Sequence, residues 1–111
     1  MTPEEQARDI ASKLEDAKAA DVRTYDVRGV SGLCDAFVVA TGTAAPHLKG
    51  LAAGVREAMR ALGVDAFRMS GDPESGWIVV DYIDVVVHVF SPEARAYYAL
   101  EKIWADVPAV Q

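Results

Sequence analysis

The chain has 111 residues, 51% hydrophobic and 25% charged, which fits one compact core and excludes both a disordered chain and a pair of full-sized domains. A formal charge of -6 repels a phosphate backbone, so non-specific binding to nucleic acid or an anionic membrane is not expected, and a basic protein partner suits the chain better. Cys34 is the only cysteine, no apolar run nears the length of a membrane span, and the N-terminus enters a helical pattern without a basic or apolar leader; a cytoplasmic, reducing location is the expectation.

Thr2-Pro3-Glu4-Glu5 reads as an N-cap, a proline at the first helical position and a reciprocal glutamate three residues after the cap. Ala7, Ile10, Ala11, Leu14 and Ala17 then recur on one helical face. Residues 22–27 read as a strand, followed by turn formers at 28–32 and a more apolar strand over about 36–40, and the two strands can form a hairpin. After Gly42-Thr43, the spacing of Leu48, Leu51, Ala52, Val55, Met59 and Leu62 predicts a second helix that Gly63 ends. Residues 65–69 form a weaker strand, 70–76 a loop, and two strongly apolar strands follow. Ser91-Pro92-Glu93 caps a C-terminal helix, and the residues from 107 to 111 read as a loose tail behind a single domain spanning 1–106. The order α-β-β-α-β-β-β-α predicts an α/β fold, a mixed β-sheet of about five strands packed against helices with at least one parallel strand pair.

Pairing residues 77–81 with 84–90 across a two-residue turn at Tyr82-Ile83 sets Asp81 opposite Asp84, Val79 opposite Val86 and Trp77 opposite His88. Alternation then puts Ile78, Val80, Val85, Val87 and Val89 on an apolar core face. Trp77, Val79, Asp81, Asp84, Val86 and His88 make the other face. Two opposed carboxylates cost up to about 1 kcal/mol unless a cation lies between them, and a partner's lysine or arginine can supply it. A tryptophan beside them is a good interface anchor. The plainer alternative is that both aspartates end strands in water and that one of the protein's own helices covers Trp77.

Signals for catalysis are weak. Ser31 lies in no nucleophile elbow, Cys34 lacks a catalytic signature, and neither Gly29, Gly32 nor Gly42 belongs to a phosphate-binding loop. His47, after Pro46 in the first turn of a helix, suits a surface or capping role, and His88 suits a partly buried place in a sheet. Asp35, Asp81, Asp84 and the histidines lack the spacing of a calcium loop or a zinc helix, so no metal or cofactor is expected.

Two segments, DVRGVSGLCDAFVVATGTAAPHLKGLA and GWIVVDYIDVVVHVFSPEARAYYALEKIW, resemble the Iojap-like family, the bacterial ribosomal silencing factors. The resemblance spans nearly the whole domain through ordered motifs: Asp35-Ala36-Phe37 leading to Ala40-Thr41-Gly42-Thr43, then His47, Trp77, Asp81-Tyr82, the DVVVH strand, Arg95, Tyr98 and Leu100-Glu101. It implies a nucleotidyltransferase-like fold and a non-enzymatic translation regulator that binds the large ribosomal subunit through ribosomal protein L-fourteen and blocks subunit joining when nutrients are short. It also implies contact roles for Trp77, Asp81, Tyr82 and Asp84, with Tyr98 and Glu101 behind them; Trp104 reads as core.

Where nucleotidyltransferases carry a second carboxylate after the Gly-Ser turn, this chain has Asp35-Ala36-Phe37. It departs from the family pattern at Ile83, where glycine is common, and at Ala44 and Ala45, where serines are usual. The competing readings are a divergent magnesium-dependent nucleotidyltransferase using Asp35, Asp81 and Asp84, and a self-associating scaffold or homodimer joined through a strip at residues 77–83.

Overall fold

The computed structural model describes residues 1–28 and 34–98, with the Tyr98 side chain outside that description. Helix α1 (Pro3–Asp16) starts as the sequence predicts. The Thr2 backbone N–H donates to Glu5 Oε1 at 2.8 Å, and the Glu5 N–H donates to Thr2 Oγ1 at 3.2 Å. This reciprocal pair satisfies two donors that a helix start otherwise leaves open. Ala7, Ile10, Ala11 and Leu14 of α1 are buried.

Strand β1 (Ala20–Asp26) and strand β2 (Ala36–Thr41) form the expected antiparallel pair, and helix α2 (Ala45–Ala61) follows. Leu48, Leu51, Ala52, Val55 and Met59 bury one face of α2. Leu62 does not continue that face; it caps the helix and is 53% exposed. Gly63 takes φ +83, the left-handed turn that ends many helices. No side chain caps α2 at Ala44, where the alanine offers no acceptor. His47 compensates from inside the first turn: its Nδ1 accepts from the Thr43 backbone N–H at 3.0 Å, and Nε2 lies 3.0 Å from the Ala17 carbonyl. The capping role expected of His47 therefore also ties the start of α2 to the end of α1.

Strand β3 (Arg68–Asp72) lies three residues later than the sequence predicts. Alternating polar residues and Gly71 hide it, because an edge strand with both sides wet carries no apolar signal. A 3-10 turn (Pro73–Ser75) leads to β4 (Trp77–Asp81), then β5 (Val85–Phe90) and helix α3 (Pro92–Tyr98). Ser91 caps α3 by accepting from the Ala94 N–H at 3.1 Å.

The five strands run in the order β1-β2-β5-β4-β3, with β2 and β5 parallel and all other neighbours antiparallel. The α2 crossover thus carries the chain to the far edge, and β4 and β5 fill the gap back to β2. The helices α1 and α2 cover one sheet face, where Val38, Val80, Val85, Val87 and Val89 are fully buried. Burying each such side chain contributes on the order of 2 kcal/mol, so this layer supplies most of the drive to fold. Among the described residues, the opposite face is covered at one end, where Ala94 of α3 packs on Val39 and Phe90, and beside β2, where Val27 and Cys34 pack with Phe37 and Val86.

A candidate protein-binding face at the β4–β5 hairpin

The sheet face turned away from α1 and α2 runs across β4, β5 and β2. Its residues follow from the register: Trp77, Val79 and Asp81 on β4 lie beside Phe90, His88 and Val86 on β5. Val86 and His88 in turn lie beside Phe37 and Val39 on β2. The pairing expected from a two-residue turn is corrected by two positions. The loop holds three residues, Tyr82, Ile83 and Asp84, closed by the Tyr82 N–H donating to the Val85 carbonyl at 2.9 Å. A shift of two preserves every face assignment within the strands but removes the Asp81–Asp84 opposition.

At one end of β4, the Trp77 ring is half-buried and stacks at a tilt on Phe90, with centroids 5.2 Å apart. Its Nε1–H donates to Nδ1 of His88 at 3.1 Å. His88 is 8% exposed and its ring meets the Phe37 ring edge-on at 5.1 Å. Burial pushes the His88 imidazole down to about 4, against a smaller opposing pull from the Asp81 carboxylate, so the ring is neutral at physiological pH. The expectation of a partly buried sheet histidine holds, and the ring's role is to support the indole.

At the other end of β4, four residues and about 13 Å from Trp77, lies Asp81. Its side chain is 23% exposed and faces Arg68 of β3 at 3.8 Å. Asp81 Oδ1 also accepts from the Ile83 N–H at 2.7 Å, which holds the loop in shape. Ile83 takes φ +72 and is 56% exposed. A β-branched residue in left-handed backbone is strained, and such strain collects where a loop presents a surface. Asp84 is exposed, while its carbonyl accepts from the N–H groups of Asp35 and Ala36 at 2.8 and 3.1 Å, fastening the loop to the start of β2.

Tyr82 is not on this face. It is 6% exposed within the core beneath the helices, its hydroxyl has no hydrogen-bond partner among the described residues, and burial pushes that hydroxyl's pKa up. The structure brings Trp77 and Asp81 to one face, sets Asp84 at its rim, and turns Tyr82 away. Glu101, Trp104, Ser31 and residues 107–111 lie outside the described residues, as does the side chain of Tyr98. Arg68 belongs to this face without having been singled out from the sequence, and Phe37, named there only within the Asp35-Ala36-Phe37 motif, belongs to it as well. The alternation of β2 marks Phe37 as outward from the helices only once β2 and β5 are known to be neighbours.

Cys34 is buried, and burial followed by the nearby Asp35 and Asp81 carboxylates pushes its thiol up to about 11, leaving on the order of one thiolate in ten thousand at pH 7. Among the described residues, no three His, Cys, Asp or Glu side chains converge closely enough to hold a metal ion, so Asp35, Asp81 and Asp84 do not form a cluster. No helix among the described residues is long and apolar enough to cross a membrane.

Comparison with known proteins matches the chain over residues 1–111 to the family model described as "Ribosomal silencing factor during starvation". It is 32% identical over 111 residues to the ribosomal silencing factor RsfS of Halalkalibacterium halodurans, covering 100% of this chain and 95% of that one. To the RsfS of Bacillus subtilis it is 35% identical over 98 residues, covering 88% and 83% respectively. A crystal structure of a Chromobacterium violaceum protein superposes with a TM-score of 0.90 at 36% identity, covering 95% of this chain and 88% of the other.

Proposed function

Since the chain belongs to the family of ribosomal silencing factors, we propose that it binds the large ribosomal subunit through ribosomal protein L-fourteen and blocks joining of the small subunit by occupying the space between them. The observation that carries this reading is the face of β4 turned away from α1 and α2, part-exposed among the described residues, with an aromatic side chain at Trp77 and carboxylates at Asp81 and Asp84. An acidic chain is repelled by ribosomal RNA and selects a basic protein surface on the subunit. A partner lysine or arginine reaching Asp81 competes with Arg68, whose 3.8 Å separation makes it a weak, half-solvated rival. Trp77 supplies a preorganised apolar contact, because the hydrogen bond to His88 and the Phe90 ring hold the indole before binding. Tyr82 supports the loop from below.

No covalent step enters this mechanism, and it needs no cofactor. Inhibition requires only an affinity able to compete with subunit association, in the cytoplasm where the subunits meet. The test is co-sedimentation with purified large subunits, together with light scattering of subunit reassociation. The protein should travel with large subunits and lower reassociation in proportion to its occupancy. Trp77→Ala and Asp81→Lys should each weaken binding by about tenfold or more, with circular dichroism checking that each variant still folds. Binding to small subunits alone overturns the reading, and unchanged binding by both variants overturns the assignment of this face.

A further inference from the structure

Strand β3 is the outer strand of the sheet, hydrogen-bonded to β4 on one side, and all five of its residues are exposed. An open strand edge offers a row of N–H and C=O groups to an extended peptide. Beside this edge a hollow of about 370 Å³ opens between α2 and β3. Its walls include Gly71 and Ile78 from the sheet and Ala52 and Ala53 from α2, all small or apolar, and its charged residues are Lys49 and Arg56. Among the described residues no carboxylate lines it, in a chain with 17 Asp and Glu against 11 Lys and Arg. Neither cation makes an ion pair among those residues.

We propose that this edge and hollow receive an extended acidic segment of another protein, which adds to the sheet beside β3. The lining residues dictate the pattern of that segment. Gly71 pairs with Ile78, a residue of the core beneath the helices, so the hollow lies on the helix side of the sheet. Only alternate residues of an added strand point to that side. Lys49 and Arg56 lie two turns apart on α2, about 10 Å along its axis, with Ala52 and Ala53 between them. Residues i and i+4 of a strand lie about 13 Å apart, and the long lysine and arginine side chains absorb the difference. The pattern that fits is acidic-x-apolar-x-acidic. Its carboxylates meet Lys49 and Arg56, and its apolar residue enters the hollow, where Gly71 brings no side chain of its own.

Charge selects the partner's class. With a formal charge of -6 the chain as a whole repels an acidic segment at long range, and the two cations act within about one Debye length, about 10 Å at 0.1 M salt. Recognition is therefore by local contact and weakens as salt rises. A basic segment meets like charge in the hollow and is rejected, so this surface takes a partner opposite in sign to the one proposed for the β4 face.

The test uses the full chain and a fluorescein-labelled peptide, SETLTES, whose pattern reads the same in either chain direction. Fluorescence anisotropy at low salt should show saturable binding, and NMR should place the shifted amides at residues 68–72 and 49–56. SKTLTKS, with its charges reversed, and SETGTES, without the apolar residue, should each bind about tenfold more weakly or worse. SETLTES with its backbone nitrogens methylated keeps every side chain but cannot join a ladder, and its binding should be lost. Lys49→Glu combined with Arg56→Glu should weaken SETLTES by about tenfold or more, with circular dichroism checking the fold, and should let SKTLTKS bind in its place. That exchange of preference is one that simple damage to α2 does not produce. Absence of saturable binding, equal binding of SKTLTKS, retained binding of the methylated peptide, or shifts confined to the Trp77 face overturns the proposal. So does a β3 whose amides are already protected before peptide is added, with protection rising with chain concentration, since a second copy then holds the edge. No ribosome enters the assay, so its failure leaves the reading of the β4 face untouched.

Discussion

Trp77 donates its indole N–H to Nδ1 of His88 at 3.1 Å across a diagonal of the β4–β5 ladder, where Trp77 pairs with Phe90 and His88 with Val79. The bond fixes the tautomer: Nδ1 must carry the lone pair, so the proton is on Nε2, a buried atom with no partner among the described residues. Trp77 is thus held by a titratable residue, and the geometry survives only while the imidazole is neutral.

Stability should therefore fall as the solution is acidified through the range set by His88. The ring's folded value near 4 is below its ordinary 6.5, so between these limits the unfolded chain binds the extra proton and the native state does not. The contribution is complete above about pH 6.5 and is lost as pH falls toward 4, on the order of 3 kcal/mol in all. Urea unfolding at a series of pH values should show this slope, and His88→Phe should flatten it between pH 6.5 and 4.5. An equal slope in the variant would remove His88 as its source.

Ile83→Gly and Ile83→Asn should stabilise the fold. Both residues tolerate φ +72, whereas a β-branched side chain there is penalised by about 1–2 kcal/mol, of which glycine's greater freedom in the unfolded chain returns part. A gain of about 0.5–1 kcal/mol in urea titration is expected. A loss of stability would mean that the exposed isoleucine makes packing contacts outweighing its strain.

Arg95 anchors α3 to the opposite end of the sheet. Its side chain is 10% exposed, and Nη1 donates to the Asp21 carbonyl at 2.6 Å and to Thr41 Oγ1 at 2.8 Å. The Asp21 carboxylate lies 3.4 Å from Nη2. Arg95→Ala should cost about 2–3 kcal/mol by leaving these acceptors without their charged donor. Arg95→Lys should recover only part of this, because an ammonium cannot span the same fork. Limited proteolysis should cut near α3 first, and an unchanged digestion pattern would count against the anchoring role.

Thr2→Ala should cost about 1 kcal/mol by removing the side-chain acceptor of the capping box while the backbone N–H at position 2 still donates to Glu5, with Thr2→Ser close to neutral. Thermal unfolding of the three proteins measures it, and equal midpoints would show that the α1 start frays in the native state.

Much of this architecture is written locally. The capping box at Thr2, the helical spacing of Leu48, Leu51, Val55 and Met59, and the alternation of Ile78 and Val80 against Trp77, Val79 and Asp81 each arise from neighbours within one turn or one pleat. Short-range sterics and amphipathic periods determine them, so the sequence by itself yields the helices, the strong strands and the division of β4 into a wet and a dry face. Trp77 and Asp81 were legible as one face for the same reason.

What only the tertiary structure decided involves residues brought together from a distance. The parallel pairing of β2 with β5 sets Phe37 beside Val86 and makes the face turned away from α1 and α2 continuous across three strands. The hairpin closes at Tyr82 and Val85, one residue further along on each strand, which shifts every pairing by two, keeps the faces, and separates Asp84 from Asp81. The placement of β3 at the edge gives Arg68 its place beside Asp81 and leaves Met69 exposed. Such outcomes depend on how the whole hydrophobic layer closes, a global minimum that no short window of residues contains.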